Sequence, residues 1–85
     1  MPVLSGLVVG ADGNPVSRAK VYFVSAPVSV PDIAALTNED GQFQLTAPVP
    51  GVYSLGATGD SGGSGKVTVE TGPEGVAGLS IRLNK

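Results

Sequence analysis

The chain has 85 residues, of which 41% are hydrophobic and 14% are charged, and its formal net charge is -2. A chain of this length supports one compact domain, and its apolar content is too high for a disordered segment. Its acidic and basic residues are scattered along the sequence, so no basic stripe is available to neutralise nucleic-acid phosphates.

The sequence contains no cysteine and no histidine. Disulfides, zinc–thiolate sites and cysteine nucleophiles are therefore excluded, and so is catalysis by an imidazole base. We expect a protein that is not an enzyme and that has no cofactor. Residues 1–10 lack the basic start and the apolar stretch of a signal peptide, and no segment is apolar enough for insertion into a membrane.

Apolar and polar residues alternate in several short runs along the chain, which is typical of strands with one solvated face. No window carries the apolar spacing of a long helix. The alternation predicts seven strands, at residues 4–9, 19–25, 33–37, 42–45, 52–58, 66–70 and 79–84.

Turn-forming residues separate these strands. The segments ADGNP (11–15) and NEDG (38–41) predict tight turns, and prolines interrupt the chain at 48–51 and 71–75. Residues 25–32 predict a longer crossover between strands. Seven short strands at this spacing predict an all-β fold, a seven-stranded antiparallel Greek-key β-sandwich.

The same alternation predicts which side chains fill the core. Phe23, Phe43, Tyr53 and Ile81 are expected between the two sheets. Gly41 is expected to allow a hairpin to reverse, and the buried Tyr53 hydroxyl is expected to find a backbone carbonyl.

Four short motifs occur in a fixed order: GNPV at residues 13–16, AKVYF at 19–23, DGQFQL at 40–45 and PGVY at 50–53. Together they resemble the carboxypeptidase regulatory-like domain family, which has a transthyretin-like (prealbumin-like) fold. The resemblance implies a β-sandwich that serves as a non-catalytic accessory module in bacterial surface, secreted or multidomain proteins. We therefore expect residues 1–85 to be a single domain from a larger protein, in an extracellular or cell-envelope location.

The stretch ATGDSGGSGKVTV (57–69) contains two apparent catalytic motifs. The string around Ser61 matches the surroundings of a serine-protease nucleophile, but that mechanism needs a histidine. Lys66 stands where a phosphate-binding loop would end, but Asp60 replaces the first glycine of the template and a predicted strand follows instead of a helix. Both interpretations fail, and the stretch is predicted to be a Gly- and Ser-rich hairpin connection.

A surface calcium site that uses Asp12, Asp40 and backbone carbonyls is an open alternative. The surroundings of Asp40 do not match the EF-hand pattern, because Leu36 and Ala47 occupy two of its ligand positions. The prediction is therefore no metal site.

We expect the functional surface to be an apolar patch formed by Tyr22, Val24, Val28, Val30 and Ile33. Such a patch favours contact with a neighbouring domain, another protein or a second copy of the chain. Two alternatives stay open. The crossover could fold back and cover Tyr22 and Val24, or the domain could bind carbohydrate through an exposed aromatic ring.

Overall fold

The computed structural model describes residues 2–29, 34–60 and 62–84. These residues form seven strands and no helix, so none of them belongs to a helix that could cross a membrane. The strands are β1 (Val3–Val9), β2 (Lys20–Ser25), β3 (Ala35–Leu36), β4 (Gln42–Thr46), β5 (Gly51–Thr58), β6 (Ser64–Thr71) and β7 (Val76–Arg82). The predicted seven-stranded all-β fold is confirmed.

The strands are arranged in two sheets. One sheet has three strands in the order β4-β1-β7, and the other has four strands in the order β3-β2-β5-β6. Every pair is antiparallel except β1 with β7, which is parallel. These two strands lie near opposite ends of the chain, so no hairpin forces them to run in opposite directions. The Greek-key connection stays a prediction.

The core lies between the sheets and follows the predicted alternation. Phe43, Tyr53 and Ile81 are buried, as expected. Phe23 is only half-buried; it packs against the buried core, next to the register shift between Phe23 and Ser25 where β2 ends. Its ring still contacts that of Tyr53, with centroids 5.3 Å apart and planes tilted by 47°.

The turn between β3 and β4 is an Asx turn closed by Asn38. Its side-chain Oδ1 accepts hydrogen bonds from the amides of Asp40 at 2.9 Å and Gln42 at 3.0 Å. Gly41 has a φ of 76° in this turn, and a Cβ at this position would lie 2.8 Å from the carbonyl oxygen of Val8. The turn therefore needs glycine for its backbone conformation and also for its close approach to β1.

The buried Tyr53 hydroxyl donates a hydrogen bond of 2.5 Å to the carbonyl oxygen of Val49. The bond ties β5 to the proline-rich segment that precedes it, and it satisfies a polar group that burial would otherwise leave unpaired. The expected carbonyl partner is thus confirmed.

The Gly41→Ala substitution should lower the free energy of unfolding by about 3 kcal/mol or more, because it adds a steric conflict with Val8 to the strain of a positive φ. Gly13→Ala is the matched control, since Gly13 has a φ of 86° but a Cβ added there would meet no atom within 4 Å. The control should cost about 1 kcal/mol. If chemical denaturation gives the same decrease in the free energy of unfolding for Gly41→Ala and Gly13→Ala, the contact with Val8 does not contribute to the effect.

The Tyr53→Phe substitution should lower the free energy of unfolding by about 1–2 kcal/mol, because it leaves the Val49 carbonyl without its partner. Tyr22→Phe is the control, since the half-buried Tyr22 hydroxyl lies 3.1 Å from Oγ1 of Thr58 at a more solvated position. Tyr22→Phe should therefore lower the free energy of unfolding by less than Tyr53→Phe does. Thermal and denaturant unfolding of both variants measure the difference, and a larger loss for Tyr22→Phe would contradict this account.

Candidate functional site

The predicted patch begins on the outer face of the four-stranded sheet. Strand β2 places Tyr22 opposite Gly56 of β5, and β5 places Val52 opposite Glu70 of β6. Because side chains alternate along a strand and Leu55 is buried in the core, these positions face away from the other sheet.

Gly56 allows two larger side chains to lie against the sheet. A Cβ at Gly56 would fall 2.8 Å from Cε2 of Tyr22 and 2.9 Å from Cγ2 of Val24. The Tyr22 ring is half-buried in this position, and its hydroxyl lies within hydrogen-bonding distance of Thr58 Oγ1. The Tyr22 side chain therefore lies flat against the sheet and does not protrude from the surface.

Three valines in β2, in β5 and after β2 are exposed. Val24 is 46% exposed, Val28 is 45% exposed and Val52 is 53% exposed. Val28 follows Pro27, which lies against Gly51 at the start of β5. We call Tyr22, Val24, Val28 and Val52 the outer-face patch.

The structure brings Tyr22 and Val24 of the predicted set together at Gly56, leaves Val28 exposed and adds Val52. Val30 and Ile33 lie outside the described residues, so their place in the patch stays a prediction. Sequence reasoning missed Val52. The alternation could have indicated Val52, because the residue next to Tyr53, a predicted core residue, faces outward.

The polar surroundings of the patch carry both signs of charge. The exposed Lys66 is paired with Gly56, and the exposed Glu70 is paired with Val52. Between them, Thr68 Oγ1 lies 3.5 Å from the Ser54 hydroxyl. The strand that borders this face of β5 therefore carries one charge of each sign.

A second exposed surface was not predicted from the sequence. An open groove of about 650 Å³ is lined in part by Leu7 and Leu36, which are 40% and 62% exposed. The side chains of Gln42 and Gln44 line the same groove. Its amide-rich lining contains no group suited to acid–base chemistry.

The apparent catalytic stretch spans the end of β5, the connection at residues 59–63 and most of β6. The amide of Gly59 donates to the carbonyl oxygen of Gly63 at 2.7 Å, and the amide of Gly62 donates to that of Gly59 at 3.0 Å. Lys66 lies within β6 and no helix follows it, so the phosphate-loop geometry is absent at this point. Ser61 lies outside the described residues.

The two candidate calcium ligands lie in different turns, and the carboxylate of Asp12 has other partners. Asp12 accepts hydrogen bonds of 3.0 Å from the backbone amide and from Nδ2 of Asn14. The backbone hydrogen bond from Asn14, followed by the side-chain one, holds the pKa of the Asp12 carboxyl below its usual value. No group of three or more acidic side chains with metal-binding proximity occurs in the part of the chain that the structure describes.

Two solved structures share this fold over 98% of the chain. One is a DUF3823 family protein from Parabacteroides merdae, with 20% identity and a TM-score of 0.64, and the chain spans 45% of its length. The other is the C-terminal domain of the Caf1A usher, with 12% identity, a TM-score of 0.63 and 99% of its length covered. Conserved hydrophobic clusters on the surface of that usher domain are important for F1 antigen assembly. At these identities the likeness shows the fold alone.

No curated protein matches the chain. A family model does match, over residues 3–84, and it describes the carboxypeptidase regulatory-like domain. The match covers nearly the whole sequence and agrees with the sandwich fold and with the motifs at residues 13–16, 19–23, 40–45 and 50–53. The chain therefore belongs to the carboxypeptidase regulatory-like domain family.

Proposed function

We propose that the domain is a non-catalytic interaction module that contacts a neighbouring domain or another protein through the outer-face patch. The observation that carries this proposal is the exposure of Val24 and Val52, on adjacent strands and on the same face of one sheet. About half of each branched apolar side chain is in contact with water. Burial against a protein would remove this apolar area from water, which is favourable.

The start of the crossover supports an open patch rather than a covered one. Pro27 lies against Gly51, at the end of the sheet, and Val28 after it is itself 45% exposed. A crossover that folded back over Tyr22 and Val24 would instead bury its own valine against them. Over residues 25–29, the part of the crossover that the structure describes, this geometry favours a contact with another chain or domain over the alternative of an internal cover.

The absence of histidine and cysteine from the sequence supports a non-catalytic role, since histidine is the most frequent general acid or base and cysteine is an intrinsically strong nucleophile. The family is described as regulatory-like, which fits an accessory or interaction domain. The usher domain offers a precedent for this fold presenting hydrophobic surface clusters in an assembly process. These points support the class of function and leave the partner to experiment.

No observation favours the alternative of carbohydrate binding. Sugar recognition in sandwich domains uses an exposed aromatic ring. Phe43 and Tyr53 are buried, Phe23 packs on Tyr53, and Tyr22 lies over Gly56 with its hydroxyl near Thr58. We therefore retain only the proposal of a protein contact.

The Val24→Ser and Val52→Ser double variant should change the free energy of unfolding by less than about 1 kcal/mol, because both side chains are exposed in the folded domain. Val21→Ser, in the same strand as Val24 but fully buried, is the control and should cost about 3 kcal/mol. Denaturant unfolding measures both. A loss for the double variant close to that of the control would show that the chain covers its own patch.

A photo-activatable cross-linker at Val52, introduced in the full parent polypeptide, tests whether a protein occupies the patch. We expect it to form a cross-link to one defined segment of a neighbouring domain or protein. Ser80 is the control, because it is exposed on β7 in the other sheet. Equal and diffuse labelling from the two positions, read by mass spectrometry, would contradict the proposal.

A further inference from the structure

The outer edge of β6 is the longest regular strand edge of the sandwich. Residues 82–84 lie against its first two residues, and among the described residues its backbone has no partner on this side from Lys66 to Glu70. β6 ends the order of the four-stranded sheet, and its 8 residues pair with β5 without any shift in register. The other sheet edges are less regular or shorter: β3 has 2 residues, β4 has 5, and the pairing of β7 with β1 contains a register shift. Proteins normally blunt such an edge with a bulge, a proline, a cover or charged side chains, because its free amides and carbonyls invite another strand. Of these devices β6 carries two charged side chains, Lys66 and Glu70, which oppose pairing unless each meets the opposite charge.

The hydrogen bonds of Ser64 show which residues present these free groups. The Asn84 amide donates to the Ser64 carbonyl oxygen at 3.0 Å, and the Ser64 amide donates to Asn84 Oδ1 at 3.0 Å. Both backbone groups of Ser64 therefore point away from β5. Because this direction repeats every second residue in an antiparallel ladder, the backbone groups of Lys66, Thr68 and Glu70 point away from β5 too.

The same three residues carry their side chains on the outer face. Lys66, Thr68 and Glu70 are exposed, whereas Val69 between them is 7% exposed and lies in the core. The free edge thus offers, in order, a cation, a hydroxyl and an anion at alternate positions. This order is self-complementary, because reversing it about Thr68 exchanges the cation with the anion.

We propose that β6 pairs with β6 of a second copy of this chain, antiparallel, across a two-fold axis at Thr68. This pairing joins two four-stranded sheets into one continuous sheet of eight strands. It places Lys66 opposite Glu70 of the second copy at two symmetry-related positions, on the same face of the sheet. Opposite charges directly across an antiparallel pair stabilise it, and like charges destabilise it.

The proposed register is favoured because the alternative registers of the β6–β6 pairing lose the charge pairs. A shift of two residues in either direction removes both charge pairs, because Lys66 then lies opposite Thr68 or Gly72. One of these shifts also brings Ser64 into the ladder, although Asn84 already occupies its backbone groups. The proposed ladder begins at Lys66 and ends at Glu70, and it uses all three free positions of each copy.

This inference goes beyond the proposed function, because it uses the edge of the sheet and not the outer-face patch. Val24 and Val52 contribute no backbone group to the ladder. The two proposals can therefore fail separately.

Charge exchange tests the pairing. The wild-type chain should form a dimer in sedimentation equilibrium at concentrations up to about 1 mM. K66E and E70K should each raise the dissociation constant about tenfold or more, because each places like charges opposite each other at both sites. An equimolar mixture of the two variants should regain the wild-type affinity, since each supplies the charge that the other lacks.

K20E is the matched control. Lys20 is exposed on the same sheet, but β2 lies between β3 and β5 rather than at the edge. K20E changes the net charge as K66E does, and it should leave the dissociation constant within about twofold. The double variant V24S/V52S should also leave it within about twofold.

A disulfide tests the position of the axis. The chain contains no native cysteine, and residues opposite each other in a hydrogen-bonded antiparallel pair have Cα atoms about 5.5 Å apart, a separation that a disulfide can span. Under mild oxidation, T68C should form a covalent dimer much faster than S54C, which lies opposite Thr68 but within the sheet.

Several results would overturn the pairing. These are a wild-type chain that stays monomeric over the whole concentration range, a mixture of K66E and E70K that associates no better than either alone, or equal cross-linking of T68C and S54C. Loss of the dimer in V24S/V52S but not in K66E would instead assign self-association to the outer-face patch.

Discussion

The alternation of side chains along β5 is the constraint on which the rest of the structure depends. β5 lies between β2 and β6, and it pairs with β6 over all 8 of its residues. Tyr53, Leu55 and Ala57 point into the core and are fully buried. The residues between them face outward, so one strand supplies both the centre of the core and the centre of the outer-face patch.

Small residues and buried polar partners hold this arrangement at its most crowded points. Gly56 lets Tyr22 and Val24 lie against the sheet, and Gly41 lets the β3–β4 turn approach β1. Thr37, 5% exposed, uses its hydroxyl to accept from the Ala19 amide and to donate to the Val16 carbonyl. Each of these contacts joins segments that are distant in sequence, which limits how far the surface can rearrange without loss of the fold.

The structure presents two kinds of surface that act through different physical terms. The outer-face patch offers apolar area, whose burial is favourable with any partner of matching shape. The β6 edge offers directed hydrogen bonds and an ordered pair of charges, which are specific for a strand of complementary order. The two proposals assign contact with a neighbour and contact with a second copy to separate surfaces, because one surface is a face and the other an edge.

The sequence by itself determined the seven strands, their buried faces at Phe43, Tyr53 and Ile81, and the turn at Gly41, because period-two alternation and turn chemistry are local properties. The tertiary structure decided the features that depend on which strands pair with each other. It made β1 and β7 parallel, left Phe23 half-buried at a register shift, and exposed Val52 beside Val24. It also left β6 at a sheet edge, with Lys66 and Glu70 at its free positions. Strand order and register arise from pairing between distant segments, and no local pattern specifies them.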